Sequence, residues 1–104
     1  MSRSYSEAFL IELHKANPNR AGTALALACV KANLPAKYVA MALEVTRMTV
    51  FSWFRGQPIR HKNLLKVETL TDLIESDTAK GILPAKTVKE AKEYLEDMVG
   101  RKFS

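Results

Sequence analysis

The sequence predicts an all-α domain built of six helices, and three observations support that fold class. The four prolines and four glycines fall almost entirely between segments of helical periodicity. No segment has the sustained alternation of β-branched residues that is typical of strands. A length of 104 residues is that of one domain, because chains divide into separate cores only beyond roughly 250 residues. We therefore expect residues 1–104 to form a single domain.

The first helix is predicted from a capping box followed by an apolar stripe. Ser4 and Glu7 have the spacing of such a box, in which side chains bond the unpaired amides at the helix start. Asn17 and Pro18 end the periodic segment, because proline cannot continue a helix. The inward face of this helix is expected to be formed by Phe9, Leu10 and Leu13.

The second and third helices follow at a short interval. Residues 21–32 are rich in small helix formers and apolar on most sides, which predicts a deeply packed helix that ends at Asn33. Pro35 suits the first turn of a third helix over residues 36–43. The inward face of the third helix would consist of Val39, Ala40 and Leu43.

Cap residues also predict the fourth and fifth helices. Thr46 is a suitable N-cap for a helix that runs to Arg55, where Gly56 and Pro58 end it. A broad apolar stripe then predicts a fifth helix over residues 61–78, with its inward face formed by Leu64, Val67, Leu70, Leu73 and Ile74.

The sixth helix is predicted to begin at about Ala85 or Thr87 and to end at Val99. Thr87 and Glu90 have capping-box spacing. A narrow apolar seam follows, and it is barely two heptads long, so intramolecular packing is more usual for it than a coiled coil. The seam consists of Val88, Ala91, Leu95 and Met98.

The net charge of +5 is concentrated in the middle of the chain. Residues 35–66 carry six basic side chains and one acidic side chain, which gives this third +5 by itself. Residues 1–34 carry +2, and residues 67–104 carry −2. Such a concentration is typical of proteins that bind a polyanion, although a solvated surface would also produce it.

The composition excludes several classes of protein. With 47% apolar and 26% charged residues, the chain is neither disordered nor of low complexity. No apolar run approaches the ~18 residues of a membrane span and no signal peptide is recognisable, so we expect a soluble protein of the cytoplasm. Cys29 is the only cysteine, and neither it nor His14 and His61 has metal-ligand spacing.

Catalytic chemistry is not expected of this chain. No Ser-His-Asp, Cys-His or paired-carboxylate arrangement can be argued from the positions of these residues. Cys29 lies in a helix of alanine and leucine, which predicts a buried and unreactive thiol. We therefore expect no enzyme, no metal and no cofactor.

A central segment, residues 35–56, has the pattern of two short helices joined by a tight turn. Only residues 44–46 separate the helices, a connection too short for antiparallel packing but suited to a steep crossing. Ala40 is expected where the helices approach closely, with Val50 packed against it. The segment therefore predicts a helix-turn-helix.

The same segment resembles the lambda-repressor-like (XRE-type, Cro-like) family of DNA-binding domains. Members often read Leu-Gly-Val-Ser-x-x-Thr-Val-x-x-Trp-x-x-Gly. The resemblance implies a helix-turn-helix core of about four helices over residues 20–76, with flanking helices at 1–17 and 84–104. Glu44 stands where the family favours glycine, because the backbone there tends towards positive φ. The matching residues here are Leu43, Val45, Thr46, Thr49, Val50, Trp53 and Gly56.

The resemblance also implies that the fourth helix, residues 46–55, enters the major groove of double-stranded DNA. Arg47 would make a bidentate contact with guanine, and Ser52 would bond either kind of base edge. Met48 and Phe51 would lie against thymine methyl groups.

The remaining candidates would contact the DNA on either side of these bases. Thr46, as the N-cap, leaves amides and a positive dipole end that suit a phosphate, and Thr49 is a further DNA-binding candidate in that turn. Arg55 would serve a phosphate or a base further along the groove. The residues that resemble the family's phosphate clamps, which give affinity and register rather than sequence choice, are Lys37, Tyr38, Arg60 and Lys62.

The predicted function is sequence-specific DNA binding by a repressor-like transcriptional regulator in a prokaryotic or phage-infected cell. One short helix makes few contacts, so a homodimer on a two-fold site is expected. The seam of the sixth helix is the first candidate for the dimer surface, and the apolar stripe of the first helix is the second.

An alternative function keeps the same fold but replaces DNA with a protein. Met48 and Phe51 are large apolar residues on the outward face of the fourth helix, and exposed apolar patches often bind proteins. The chain would then dock on the transcription machinery through these two residues. Of the neighbouring aromatic residues, Trp53 is expected in the core and Phe54 beneath the fifth helix or the following loop.

Overall fold

The computed structural model describes residues 5–17 and 20–103, and within these ranges the chain forms six α-helices and no β-strand. The prediction of an all-α fold is confirmed. The Cα radius of gyration of 12.6 Å is that of one compact globule of this length. In chain order the helices are α1 (Glu7–Lys15), α2 (Ala21–Ala32), α3 (Ala36–Leu43), α4 (Arg47–Phe54), α5 (His61–Ala79) and α6 (Val88–Val99).

The bounds of α2 and α3 are those that the sequence predicts. Asn33 follows α2 in the left-handed conformation, with φ of 57°, and its amide bonds the carbonyls of Cys29 and Val30. Pro35 directly precedes α3. Thr46 is the N-cap of α4, as predicted, and that helix ends one residue before Arg55, which becomes its C-cap.

The N-caps of α1 and α6 agree only in part with the predicted helix starts. The N-cap of α1 is Ser6, whose hydroxyl accepts a bond of 3.2 Å from the amide of Phe9. The predicted cap Ser4 lies outside the described residues, as does Pro18. Thr87 caps α6 and accepts from the amide of Glu90 at 3.0 Å, so the later of the two predicted starts is correct.

The central helix of the fold is α2, which packs most extensively against α5 and also contacts α4 and α1. Leu25, Ala26 and Cys29 on α2 are fully buried, as its small apolar sequence predicts. Burial raises the pKa of the Cys29 thiol, which keeps it protonated and unreactive. Within the described ranges, no helix is long and apolar enough to cross a membrane.

The start of α2 lies directly against the end of α4. A Cβ atom at Gly22 would come within 2.2 Å of the Trp53 carbonyl oxygen, so only glycine fits there. Arg20, the residue before α2, adds a second link between these helix ends, because its guanidinium donates to the carbonyl oxygen of Gly56 at 2.6 Å. Trp53 is buried, as predicted.

Both predicted dimer surfaces take part in packing within the chain. In the seam of α6, which contacts α3, Ala91 and Leu95 are fully buried. In the stripe of α1, Leu13 is buried, and Phe9 and Leu10 pack against the core. Both stripes therefore contribute to the packing of the monomer, while Val88 of the α6 seam is 47% exposed.

Phe54 has neighbours that the sequence does not predict. The sequence places Phe54 beneath α5 or the following loop, and the structure adds two aromatic neighbours, since the ring lies 5.9 Å from that of Phe9 and 6.3 Å from that of Tyr5. α1 and the residue before its cap therefore cover Phe54, and periodicity within α4 gave no sign of them.

Replacement of Gly22 by alanine tests the contact between α2 and α4. The added methyl would overlap the Trp53 carbonyl, so we expect unfolding to become easier by about 2 kcal/mol, measured by urea denaturation. A rise in stability by about 1 kcal/mol, as helix propensity alone predicts, would contradict the contact. Ser76→Ala on the exposed face of α5 is the control, with a change within about 0.5 kcal/mol.

Replacement of Thr23, unlike that of Gly22, should raise the stability of the fold. The hydroxyl of Thr23 is buried, with 1% of the residue exposed, and it has no hydrogen-bond partner in the described part of the chain. Valine has nearly the same shape without the buried oxygen, so Thr23→Val should stabilise the fold by about 1 kcal/mol. The same denaturation series measures it, and a loss of stability would show that the hydroxyl does have a partner.

Candidate nucleic-acid interface

α3 and α4 are joined by residues 44–46 and pack against each other. Ala40 and Val50 are both buried where the sequence places the close approach. Glu44 has φ of 60° and ψ of 41°, so this turn residue adopts the left-handed conformation, in which glycine is usual. The following amide, that of Val45, bonds the carbonyl of Ala40 at 3.0 Å and closes the end of α3.

A residue from beyond α6 stabilises this unusual turn. Arg101 forms a salt bridge of 3.6 Å with the carboxylate of Glu44 and donates to the carbonyl oxygen of Met41. Its guanidinium therefore offsets the charge of the glutamate. It also provides a hydrogen-bond donor for a carbonyl at the C-terminal end of α3. No local pattern around Glu44 indicates Arg101, because the two residues are far apart in the sequence.

The segment after α6 also covers Tyr38, one of the predicted phosphate clamps. The ring of Phe103 stacks on that of Tyr38 with 6.3 Å between centroids and 11° between planes. The amide of Phe103 donates to the buried carboxylate of Glu96 at 2.8 Å, which fixes the segment. Lys37 is exposed, with its ammonium 5.5 Å from the Tyr38 ring. Tyr38 is thus half-buried and packed, whereas Lys37 remains accessible to a partner.

The first turn of α4 is held by its N-cap. The hydroxyl of Thr46 accepts from the amide of Thr49 at 3.1 Å and lies 2.9 Å from the Thr49 hydroxyl. Both threonines are therefore engaged with each other in the cap. Arg47 and Met48 stand at the exposed start of the helix, and Met48 is 77% exposed.

Phe51 is less exposed than its predicted outward position implies. Its ring is half-buried and lies edge-on to those of Phe9, at 6.0 Å, and Phe54, at 5.8 Å. The guanidinium of Arg47 lies over the same ring, 5.6 Å from its centre. The expectation of two outward apolar residues therefore holds for Met48, and α1 partly covers the second.

The other predicted contact residues lie at the end of α4 and the start of α5. Ser52 is half-buried, and its carbonyl accepts from the amides of Arg55 and Gln57. Arg55 is exposed at the C-cap of α4, and Arg60 and Lys62 are exposed around the N-terminus of α5.

Basic residues stand at the starts of four successive helices. The first turns of α2, α3, α4 and α5 contain no acidic residue, whereas those of α1 and α6 contain Glu7 and Glu90. A cation at the positive end of a helix dipole destabilises the helix, each by about 0.3–1 kcal/mol. An anion bound at these positions would remove that penalty. The basic residues concerned are Arg20, Lys37, Arg47, Arg60 and Lys62.

The chain matches no protein-family model, no curated protein and no solved structure. Among the residues that the structure describes, no three His, Cys, Asp or Glu side chains are grouped as metal ligands.

Two substitutions of Glu44 separate its backbone conformation from its salt bridge. Glu44→Ala and Glu44→Gly both remove the carboxylate, but only glycine adopts positive φ without strain. We expect the glycine variant to be more stable than the alanine variant by about 1 kcal/mol in urea unfolding. Equal stability of the two variants would contradict the left-handed turn.

Proposed function

We propose that the protein is a sequence-specific double-stranded DNA-binding protein that regulates transcription. The observation that carries this proposal is the placing of basic residues at helix starts, where they destabilise the helices unless an anion is bound. Most of these residues lie in the segment 35–66, which by itself has a charge of +5. A polyanion with regularly spaced phosphates is the ligand that such a surface suits.

The arrangement of α3 and α4 supports insertion of α4 into the major groove. Both helices have the bounds that their cap residues predict to within a residue, and Glu44 adopts the left-handed conformation that the family's glycine favours. In this proposal Arg47 reads guanine and Met48 contacts a thymine methyl, with Ser52 and Arg55 further along the helix. Backbone contacts come from the amides at the start of α4 and from Lys37, Arg60 and Lys62.

A homodimer is part of the proposal, since two short helices are needed for tight operator binding. The stripes of α1 and α6 contribute to the packing of the monomer, and a further apolar surface is a groove between α5 and the ends of α3 and α6, which Met98 of the α6 seam also lines. Its rim includes Leu65, which is 74% exposed, together with Leu73 and Val99. Contiguous exposed apolar residues of this kind are typical of interfaces.

Substitution of Arg47 tests the proposed function. Duplexes are first selected from random sequence, and affinity is then measured at several salt concentrations. Arg47→Ala should weaken binding to the selected site by about 1–3 kcal/mol, because a bidentate base contact is lost. Lys37→Ala, as the control for backbone contacts, should weaken all duplexes alike and reduce the salt slope by about 1. A flat salt response, or no loss with Arg47→Ala, would contradict DNA recognition by α4.

Docking on a protein is a second candidate function, and the exposure of Met48 favours it. Met48→Ser is the better test, because Phe51→Ser would also remove a ring against which Phe9 packs. If Met48→Ser leaves DNA affinity unchanged but abolishes binding to a component of the transcription machinery, the protein-docking function is correct. A loss confined to DNA duplexes with thymine at the contacted position would instead support DNA recognition.

A further inference from the structure

A continuous set of aromatic contacts runs from α1 to the guanidinium of Arg47. The ring of Tyr5 stacks on that of Phe9 with 5.3 Å between centroids and 24° between planes. Phe9 in turn lies edge-on to Phe51, with 6.0 Å between centroids and 88° between planes. The guanidinium of Arg47 rests over Phe51 at 5.6 Å. The N-terminal flanking helix is thereby connected to the side chain that would read a base.

The far end of this set is anchored in the core. The hydroxyl of buried Tyr5 donates to the carbonyl oxygen of Leu34 at 2.5 Å, in the connection between α2 and α3. Burial raises the pKa of Tyr5, with a smaller contribution from Cys29, and the positive charge of Arg47 opposes the rise.

The packing of Phe51 determines how well it can hold Arg47. An arginine at the exposed start of a helix has many rotamers, and a cation lying over one free ring is held only weakly. Phe51 is contacted edge-on by both Phe9 and Phe54, so these neighbouring rings restrict the orientation of its ring. A guanidinium over a fixed ring loses less freedom when it forms two parallel hydrogen bonds with a base edge.

We propose that Phe9 and Phe51 are positioning residues, through which α1 holds the Arg47 guanidinium ready for a bidentate contact with guanine. The proposal rests on the proposed function. It predicts an effect on sequence discrimination rather than on overall affinity. A bidentate base contact requires a fixed guanidinium plane, whereas attraction to phosphates tolerates many orientations.

The test is a double-mutant cycle of Phe9→Leu and Arg47→Ala. The affinity for a selected duplex is compared with that for the same duplex with the contacted guanine pair replaced, at several salt concentrations. Phe9→Leu keeps an apolar side chain but removes the ring, and we expect discrimination to fall about 3- to 10-fold with an unchanged salt slope. In the Arg47→Ala background, Phe9→Leu should have no further effect.

Two further variants control for loss of packing. Phe103→Leu removes a stacked ring on the opposite flank, against Tyr38, and should leave discrimination unchanged. Phe9→Tyr restores a ring and should restore discrimination. The proposal is overturned if Phe9→Leu discriminates like the parent protein, or if it lowers discrimination equally in the Arg47→Ala background.

A measurement without DNA separates this proposal from the proposed function. In the parent protein the side-chain NMR signals of Arg47 should carry ring-current shifts from Phe51. These shifts should disappear in Phe51→Leu and diminish in Phe9→Leu. Unchanged Arg47 signals in Phe9→Leu would overturn the positioning role. If Arg47→Ala has no effect on DNA binding while these shifts behave as expected, DNA recognition by α4 fails, and only the packing of Arg47 on the aromatic rings stands, without a role in reading guanine.

Discussion

The contact between Gly22 and the carbonyl of Trp53 is the constraint on which the rest of the structure depends. It brings the backbones of α2 and α4 together without an intervening side chain, so no side-chain rearrangement can change the distance between the two helices at this point. Arg20 closes the same junction through the carbonyl of Gly56. Since α2 also packs against α5 and α1, this contact fixes α4, and with it the outward face of α4, to the main body of the fold. Rigid elements are what a surface needs to present side chains at fixed spacings.

The cations near α3 and α4 divide into two groups according to the end of the helix at which they lie. The ammonium of Lys66 donates to the carbonyl of Leu43 at 3.1 Å, and Arg101 donates to that of Met41, so both stabilise the negative end of α3. Lys37 and Arg47 lie instead at positive helix ends, where they oppose folding. Lys66 therefore contributes to the charge of the segment 35–66 for a structural reason. Among the cations at helix starts, Arg20 also has a structural partner, the carbonyl of Gly56, and Arg47 lies over the ring of Phe51.

The sequence predicts most of the helices but few of the contacts between distant residues. Asn33 and Thr46 act through their own backbone neighbourhood, so the ends that they set can be read from local pattern. Gly22 looks from the sequence like a weak helix residue, because nothing near it shows that the Trp53 carbonyl lies alongside. The pairing of Glu44 with Arg101 is likewise a property of the folded chain, in which the turn and the C-terminal segment meet.

The two flanking elements support the helix pair from opposite sides. α1 packs Phe9 on Phe51 and Phe54 of α4, and the segment after α6 contacts the α3 residue Tyr38 and the turn residue Glu44. The residues outside 20–76 thus have a use that requires no second copy of the chain. Phe9 and Phe103 are used in this way, so the flanking segments contribute to the position of α3 and α4 within a single chain.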